Sequence, residues 1–364
     1  MKILALLLAL GLQAGAADSE RPEPPEMERL RELAELGLDA ELVTTGQAWI
    51  GPGGALAGAA EAAALVARSL FLTGRETEAF ETLAAARPTD RAGRAAIELM
   101  RARLLLERDD LAGALRLLVE EPNGRTAPKY PDVPDCLLLL GRALVRSDRH
   151  DLAEPPLRAF VEKAPLHPEG PSAWHMLFEA ALRRNDLAGA KTCRAEKERW
   201  TQWHALLRAR RLQIRRQPEA RLPRLGLALL WIEARELERA EEALEDLLAR
   251  FPQDAEAWLH LGEVHRMAGR ATDAARAYGR SLEQDPTEHR ARYSLALLHR
   301  DAGRTADARR ELEHLLGTEA ADEPAFLGAH LELARLLGAA GEADEAARRY
   351  ARYRELGGTE ELGG

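Results

Sequence analysis

Histidine is the residue type in this sequence best suited to binding a metal ion or moving a proton, and four of the ten histidines lie close together in the chain. These four are His260, His265, His289 and His299. His260 and His265 are five residues apart, so they do not share one face of a helix. Metal ligands must converge on one point. The spacing therefore predicts packing and surface histidines, and we expect neither a metal site nor a cofactor.

Short catalytic motifs give no support for an enzyme. The sequence has no phosphate-binding loop, no His-Glu-x-x-His, no Gly-x-Ser-x-Gly and no Cys-x-x-Cys. Its two cysteines, Cys136 and Cys193, are too few for a disulfide framework, and we expect small buried residues rather than a bridge. We therefore predict a non-catalytic protein. A regulatory or accessory subunit of an envelope enzyme stays as an alternative.

Arginine offers a different chemistry, the binding of carboxylates and other anions. Residues 183–224 hold 13 Arg or Lys and 4 Asp or Glu, a balance of +9 in a chain of net charge −9. Within them, Arg208, Arg211 and Arg215 fall on one helical stripe. One interpretation is a docking face for an anionic partner, such as an acidic protein segment, a glycan or a nucleic acid. The other is a solvated face paired with the acidic residues of 233–245.

Helices are the elements that must position these side chains. Ala, Leu, Arg and Glu dominate, aromatic residues make up only 5% of the chain, and Val, Ile and Thr are sparse. At 364 residues, a single compact core would be unusual. The composition therefore predicts an all-α fold that is extended by repetition or divided into domains.

An internal repeat organises these helices. One copy spans residues 255–286 and carries Trp258, Leu261, Gly262, His265, Gly269, Ala274, Tyr278, Ser281 and Pro286. Proline recurs every 34 residues at Pro218, Pro252 and Pro286. An alanine recurs at Ala79, Ala114, Ala153, Ala190, Ala240, Ala274, Ala308 and Ala346. Two antiparallel helices need a small residue where their backbones come closest, and alanine meets that need. At the partner site on the first helix only Phe178 is large.

This pattern resembles the tetratricopeptide repeat family, with His265 where the family often has tyrosine. The resemblance implies a right-handed α-solenoid of antiparallel helix pairs. About eight units then cover residues 57–356. They are interrupted by a basic insertion at 191–217 that lengthens a helix or adds one.

The two ends of the chain differ from the repeats. Residues 1–16 have Lys2, an apolar run and a small-residue cleavage site, and we expect a signal peptide and an exported, periplasmic or secreted protein. Residues 17–26 are predicted to be a linker, 27–56 a helical cap with a loop, and 357–364 a flexible tail. No later segment is long and apolar enough to span a membrane.

The family also lines its concave groove with fixed positions of each first helix. In this sequence the residues at the family's groove positions are Arg68, Arg103, Arg142, Arg146, His175, Glu179, Arg183, Glu263, Arg266, Tyr293 and Arg300. The resemblance implies a protein or peptide partner that carries carboxylates. The Lys and Asn pair with which chaperone-binding members hold a terminal carboxylate is not present. We therefore predict a protein interaction scaffold, with an anionic polymer on 183–224 as the alternative. The acidic chain and predicted export argue against nucleic acid.

Overall fold

A computed structural model describes residues 24–35, 37–51, 53–56, 59–120 and 127–362. Within these ranges the chain is almost entirely helical, which confirms the predicted all-α fold. The predicted signal peptide and residues 17–23 of the predicted linker lie outside the described residues. The first helix begins at Pro25, two residues before the predicted boundary, because proline fits the first turn of a helix.

In chain order the helices are α1 (Pro25–Glu35), α2 (Asp39–Ile50), α3 (Ala60–Leu72), α4 (Glu76–Ala85), α5 (Arg91–Glu107), α6 (Leu111–Leu118), α7 (Pro134–Arg146), α8 (His150–Lys163), α9 (Gly170–Arg183), α10 (Leu187–Arg216), α11 (Arg221–Glu233), α12 (Leu237–Arg250), α13 (Ala255–Met267), α14 (Ala271–Gln284), α15 (His289–Asp301), α16 (Thr305–Leu316), α17 (Leu327–Ala339) and α18 (Ala343–Glu355). A small antiparallel ladder joins β1 (Val119–Glu120) to β2 (Ala127–Pro128). Two short 3₁₀ turns, Glu319–Asp322 and Pro324–Phe326, precede α17. None of the described helices is long and apolar enough to cross a membrane.

The chain divides into unit 1 (Met1–His204) and unit 2 (Ala205–Gly364), with the boundary inside α10. Consecutive helices pack as pairs from α1 to α8 in unit 1 and from α11 to α18 in unit 2, which is the predicted solenoid architecture. The additional residues of the predicted insertion are part of α10 and do not form a separate helix. Phe160 is fully buried in unit 1, as is Tyr278 in unit 2.

Small residues set the close approach of the two helices in a pair. All eight repeat alanines of the second helices are buried. Gly141 and Gly262 serve the same purpose on first helices. A Cβ placed on Gly141 would lie 2.5 Å from the Leu157 side chain, and one on Gly262 would lie 2.6 Å from the Tyr278 ring. Phe178 is half-buried, stacks on His175 and packs against the hydrophobic core of unit 1.

Each helix pair turns through one residue with positive φ. Glycine occupies five of these turns in the described chain, at Gly37, Gly74, Gly269, Gly303 and Gly341. The other four turns use Asp109, Asp148, Asn185 and Arg235. Asp and Asn tolerate the left-handed region because their short polar side chains bond locally, whereas a long side chain is strained there. Arg235, with φ of 59°, is therefore the most strained of these turns.

Replacing Arg235 by glycine should raise the free energy of unfolding by about 1 kcal/mol, because glycine adopts positive φ without strain. The Arg235 side chain is exposed and forms no ion pair with any residue described, so nothing is lost with it. Chemical denaturation measures the change. Ala234→Gly is the matched control: Ala234 has φ of −77°, and its replacement should lower stability. A loss of stability in Arg235→Gly would contradict the strain argument.

Candidate functional site

Three arginines occupy equivalent positions on the first helices of unit 1. Arg68 on α3, Arg103 on α5 and Arg142 on α7 each follow the small residue at the helix contact. The structure brings them together with two carboxylates and a histidine. We call this set the charge cluster, and its members are Arg68, Arg103, Asp135, Arg142, His167 and Glu169.

Two of these arginines are paired within the protein. Arg103 Nη2 lies 3.2 Å from Asp135 Oδ1 and 3.2 Å from Glu169 Oε1. Arg142 donates a hydrogen bond to the other oxygen of Glu169. The side chains of Arg103, Asp135 and Glu169 are each only 11 to 12% exposed, so these pairs are shielded from water. These ion pairs therefore hold neighbouring helix pairs together.

The two carboxylates respond differently to burial. Burial raises the pKa of Asp135 to about 6, and the attraction of Arg103 offsets this only in part. Burial also acts to raise the pKa of Glu169, but Arg103 and Arg142 outweigh it and hold that pKa below its usual value. Glu169 is thus the stable anion of the charge cluster, and Asp135 is the group that takes up a proton more readily.

Arg68 differs from the other two arginines because it makes no hydrogen bond or ion pair with any residue that the structure describes. Burial and then the charge of Arg103 lower its pKa, while Asp39 and Glu169 are near enough to raise it. Asp39 Oδ1 accepts a hydrogen bond from Ser69 Oγ at 2.7 Å. Arg68 is therefore a half-buried cation without a direct counter-ion.

The remaining predicted groove residues of unit 1 have local partners. Arg146 donates to Asp109 Oδ1 at 2.8 Å, and Arg183 to Asp148 Oδ1 at 2.5 Å. Both acceptors are the positive-φ residues of the preceding helix pair. His175 Nε2 lies 3.4 Å from an oxygen of Glu179, one turn further along α9. These arginines link adjacent helix pairs.

In unit 2 the carboxylate of Glu332, which is 11% exposed, pairs with both Arg300 and Arg335. Arg266 is exposed, Tyr293 is half-buried against Phe326, and Arg300 Nη1 lies 2.6 Å from Glu332 Oε2. Glu263 is held by His260 and Arg290.

The basic segment of α10 is more open than the charge cluster. Arg208 and Arg215 are exposed, and neither forms an ion pair with another described residue, those of 233–245 included. Arg211 lies over the Trp231 ring, 6.0 Å from its centroid. The predicted pairing with that acidic stretch is therefore not found for Arg208 and Arg215, and their charges face solvent.

In the described part of the chain, the histidines and cysteines do not come together in one site. No group of three or more His, Cys, Asp or Glu there could hold a metal ion. His260 Nδ1 pairs with Glu263 at 2.8 Å, and His265 lies 3.7 Å from Glu241. Cys136 and Cys193 are both free and buried, and burial raises the pKa of the Cys136 thiol to about 11.

The sequence reasoning missed Asp135, His167 and Glu169, which complete the charge cluster. Opposite charges that pair between neighbouring helix pairs recur at a spacing slightly shorter than the repeat. Arg103 precedes Asp135 by 32 residues, and Arg31 precedes its partner Glu61 by 30. Searching for opposite charges 30 to 32 residues apart would have found both pairs.

Matches to family models agree with the fold. Models of the tetratricopeptide repeat match residues 138–202, 225–289 and 265–327. Similar solved structures include MamA from Desulfovibrio magneticus RS-1 (16% identity, 51% of this chain and 94% of that chain, TM-score 0.37). PilF from Pseudomonas aeruginosa is 16% identical over 63% of this chain and 94% of that chain, with a TM-score of 0.35. YrrB, described as a TPR protein with an unusual peptide-binding site, is 20% identical over 41% of this chain and 75% of that chain, with a TM-score of 0.38. No curated protein matches the chain in sequence. Residues 138–202 and 225–327 of the chain are therefore tetratricopeptide repeats.

Proposed function

We propose that this interaction scaffold binds an acidic segment of a partner protein on the first helices of unit 1, with Arg68 as the recognition residue. The observation that carries the proposal is the half-buried guanidinium of Arg68, which has no carboxylate of its own. Partial burial of an unpaired charge is unfavourable. A partner carboxylate would neutralise it and form two parallel hydrogen bonds with a fixed geometry.

A neighbouring side chain defines the ligand further. Leu72 is four residues beyond Arg68 on α3, so both lie on one face of the helix, and Leu72 is 53% exposed. An apolar side chain of the partner could cover it. The preferred ligand is therefore a segment in which acidic and apolar residues lie close together.

Titration of a labelled peptide of alternating Glu and Leu into the full-length protein tests the proposal. Arg68→Glu should weaken binding about tenfold or more, because a bound carboxylate would face a like charge. The matched control is Arg101→Glu, an exposed arginine of α5 without an ion pair among the described residues, which should change the affinity less than twofold. Equal affinities for both variants would remove Arg68 from the binding site.

A second candidate surface is the exposed basic segment of α10, favoured by the open side chains of Arg208 and Arg215. The double variant Arg208→Glu, Arg215→Glu belongs in the same titration, with polyglutamate as a second probe. Loss of polyglutamate binding, together with an unchanged affinity for the peptide, would assign an anionic polymer to α10. Loss of peptide binding in this double variant would instead place the partner site on α10 and not on α3.

Export is part of the proposal and is supported by the sequence of residues 1–16. Cleavage after Ala16 would leave Ala17 as the first residue of the mature protein. In that compartment the partner would be a protein of the cell envelope or a secreted protein. Regulation of an envelope enzyme is one form that this binding could take.

A further inference from the structure

Residues 358–362, which we call the tail segment, fold back on α17 and α18. Arg335 on α17 contacts three consecutive residues of this segment. Its Nη2 lies 3.3 Å from Glu360 Oε2 and 3.3 Å from the Glu361 carbonyl, and its Nε lies 3.4 Å from the Leu362 carbonyl. The sequence predicts a flexible tail over 357–364, whereas the structure gives defined partners to Gly358, Glu360, Glu361 and Leu362. Residues 363–364 lie outside the described residues.

Two tyrosines of α18 hold the backbone of the tail segment. The Tyr350 hydroxyl donates to the Glu360 carbonyl at 3.1 Å, and the Glu360 N–H donates to the Tyr353 hydroxyl at 3.0 Å. Gly358 is buried against Tyr353, and a Cβ on Gly358 would lie 2.2 Å from the Tyr353 ring. Only glycine fits this close approach, so the first residue of the segment is fixed by packing.

These contacts are of the kind that recognises an extended acidic peptide. Arginine and tyrosine side chains bond consecutive main-chain groups, and the guanidinium also receives a carboxylate. Arg335 follows Ala334, so it occupies the same repeat position as Arg68 does after Ala67. Arg335 Nη1 also lies 3.0 Å from Glu332 Oε1, and Glu332 pairs with Arg300, a residue predicted for the groove. The tail segment is thus linked to the predicted groove through Arg335 and Glu332.

We infer that the tail segment occupies a peptide-binding surface of α17 and α18, and that an extended acidic segment of a partner protein displaces it. The sequence of the occupant, Gly-Thr-Glu-Glu-Leu, gives the chemistry of the partner: two carboxylates followed by an apolar residue. This surface lies in unit 2 and is independent of the site proposed at Arg68.

The individual contacts are weak enough to be exchanged. The side chains of Arg335 and Glu360 are 38% and 67% exposed, and exposed ion pairs contribute little to stability. The segment is joined directly to α18, however, and a short connection gives an effective concentration on the order of millimolar. A free peptide therefore has to compete with a tethered ligand, and the surface is inhibited until a better ligand is present.

The test uses a labelled synthetic peptide of the sequence Leu356–Gly364 as the probe, titrated into four forms of the protein. These are the unchanged chain, the chain shortened after Leu356, the full-length variant Gly358→Val and the full-length variant Thr359→Ala. Gly358→Val should displace the segment without removing it, because valine cannot fit against Tyr353. Thr359 is exposed and makes no hydrogen bond to a described residue, so Thr359→Ala is the matched control.

The shortened chain and Gly358→Val should bind the probe at least tenfold more tightly than the unchanged chain and Thr359→Ala. Adding Arg335→Glu to the shortened chain should abolish that gain, and circular dichroism verifies that each variant is folded. Equal affinity in all four forms, or a gain that survives Arg335→Glu, would overturn the inference. If two copies of the protein exchanged their tail segments, gel filtration would show a concentration-dependent dimer. That result would contradict displacement of the tail segment by a different partner protein.

Discussion

Replacing Gly262 by leucine should lower the free energy of unfolding by about 3 kcal/mol. Gly262 on α13 faces Tyr278 on α14, and a Cβ there would already lie 2.6 Å from the aromatic ring. Tyr278 is fully buried, so its ring cannot move aside without disturbing the helix pair. The side chain of leucine adds four carbons to a contact that does not accept one.

Gly279→Leu is the matched control for this prediction. Gly279 is the residue after Tyr278 on the same helix pair, and a Cβ placed on it meets no atom within 4 Å. Leucine favours helices more than glycine does, so this variant should gain up to about 0.8 kcal/mol. Chemical denaturation followed by circular dichroism measures both. If the two variants lost equal stability, Gly262 would not be the close contact of this pair.

The free-energy difference between the unchanged protein and Asp135→Asn should depend on pH. In the folded protein the pKa of Asp135 is raised to about 6, whereas the ordinary pKa of an aspartate is 3.8. Between these values the folded chain binds more protons than the unfolded chain, so the stability that Asp135 contributes falls as the pH rises. Asparagine cannot titrate. From pH 7.5 to pH 4.5, the unchanged protein should gain about 2 kcal/mol relative to Asp135→Asn.

Denaturation curves of both proteins across this pH range measure the effect. Arg103 keeps Glu169 as a partner in the variant, so its charge is not left alone. Asp132→Asn is a suitable control because the Asp132 side chain is 60% exposed and its ion pair with Arg91 lies at the surface. A constant free-energy difference between the unchanged protein and Asp135→Asn would show that Asp135 does not titrate in this range.

The helix pairs could be predicted from the sequence because their signals are local and periodic. The alanines of the second helices and the prolines that follow them mark where helices touch and end, and the glycines mark turns such as Gly269. The turn at Arg235 lacked such a signal, because its positive φ is imposed by the geometry of the pair and not by the residue. The sequence also left open whether the insertion lengthens a helix or adds one, since a polar, helix-favouring stretch permits both.

The candidate site was predictable only in part. Resemblance to the family located Arg68, Arg103 and Arg142, but it did not tell which of them has a carboxylate partner. That depends on Asp135 and Glu169, which come from neighbouring helix pairs about 30 residues away. The tail segment was missed for a related reason. Its short polar sequence suggests flexibility, and its contacts with Arg335 arise only from the tertiary fold.

Site-specific photo-crosslinking tests the central claim most directly, because it reports which face of the protein touches the ligand. A photoreactive residue replaces Leu72, beside Arg68, or Arg101, the exposed control on α5. The Glu and Leu peptide should crosslink from position 72 and not from position 101, and Arg68→Glu should remove the crosslink. Equal crosslinking from both positions, or a crosslink that persists in Arg68→Glu, would contradict recognition by Arg68.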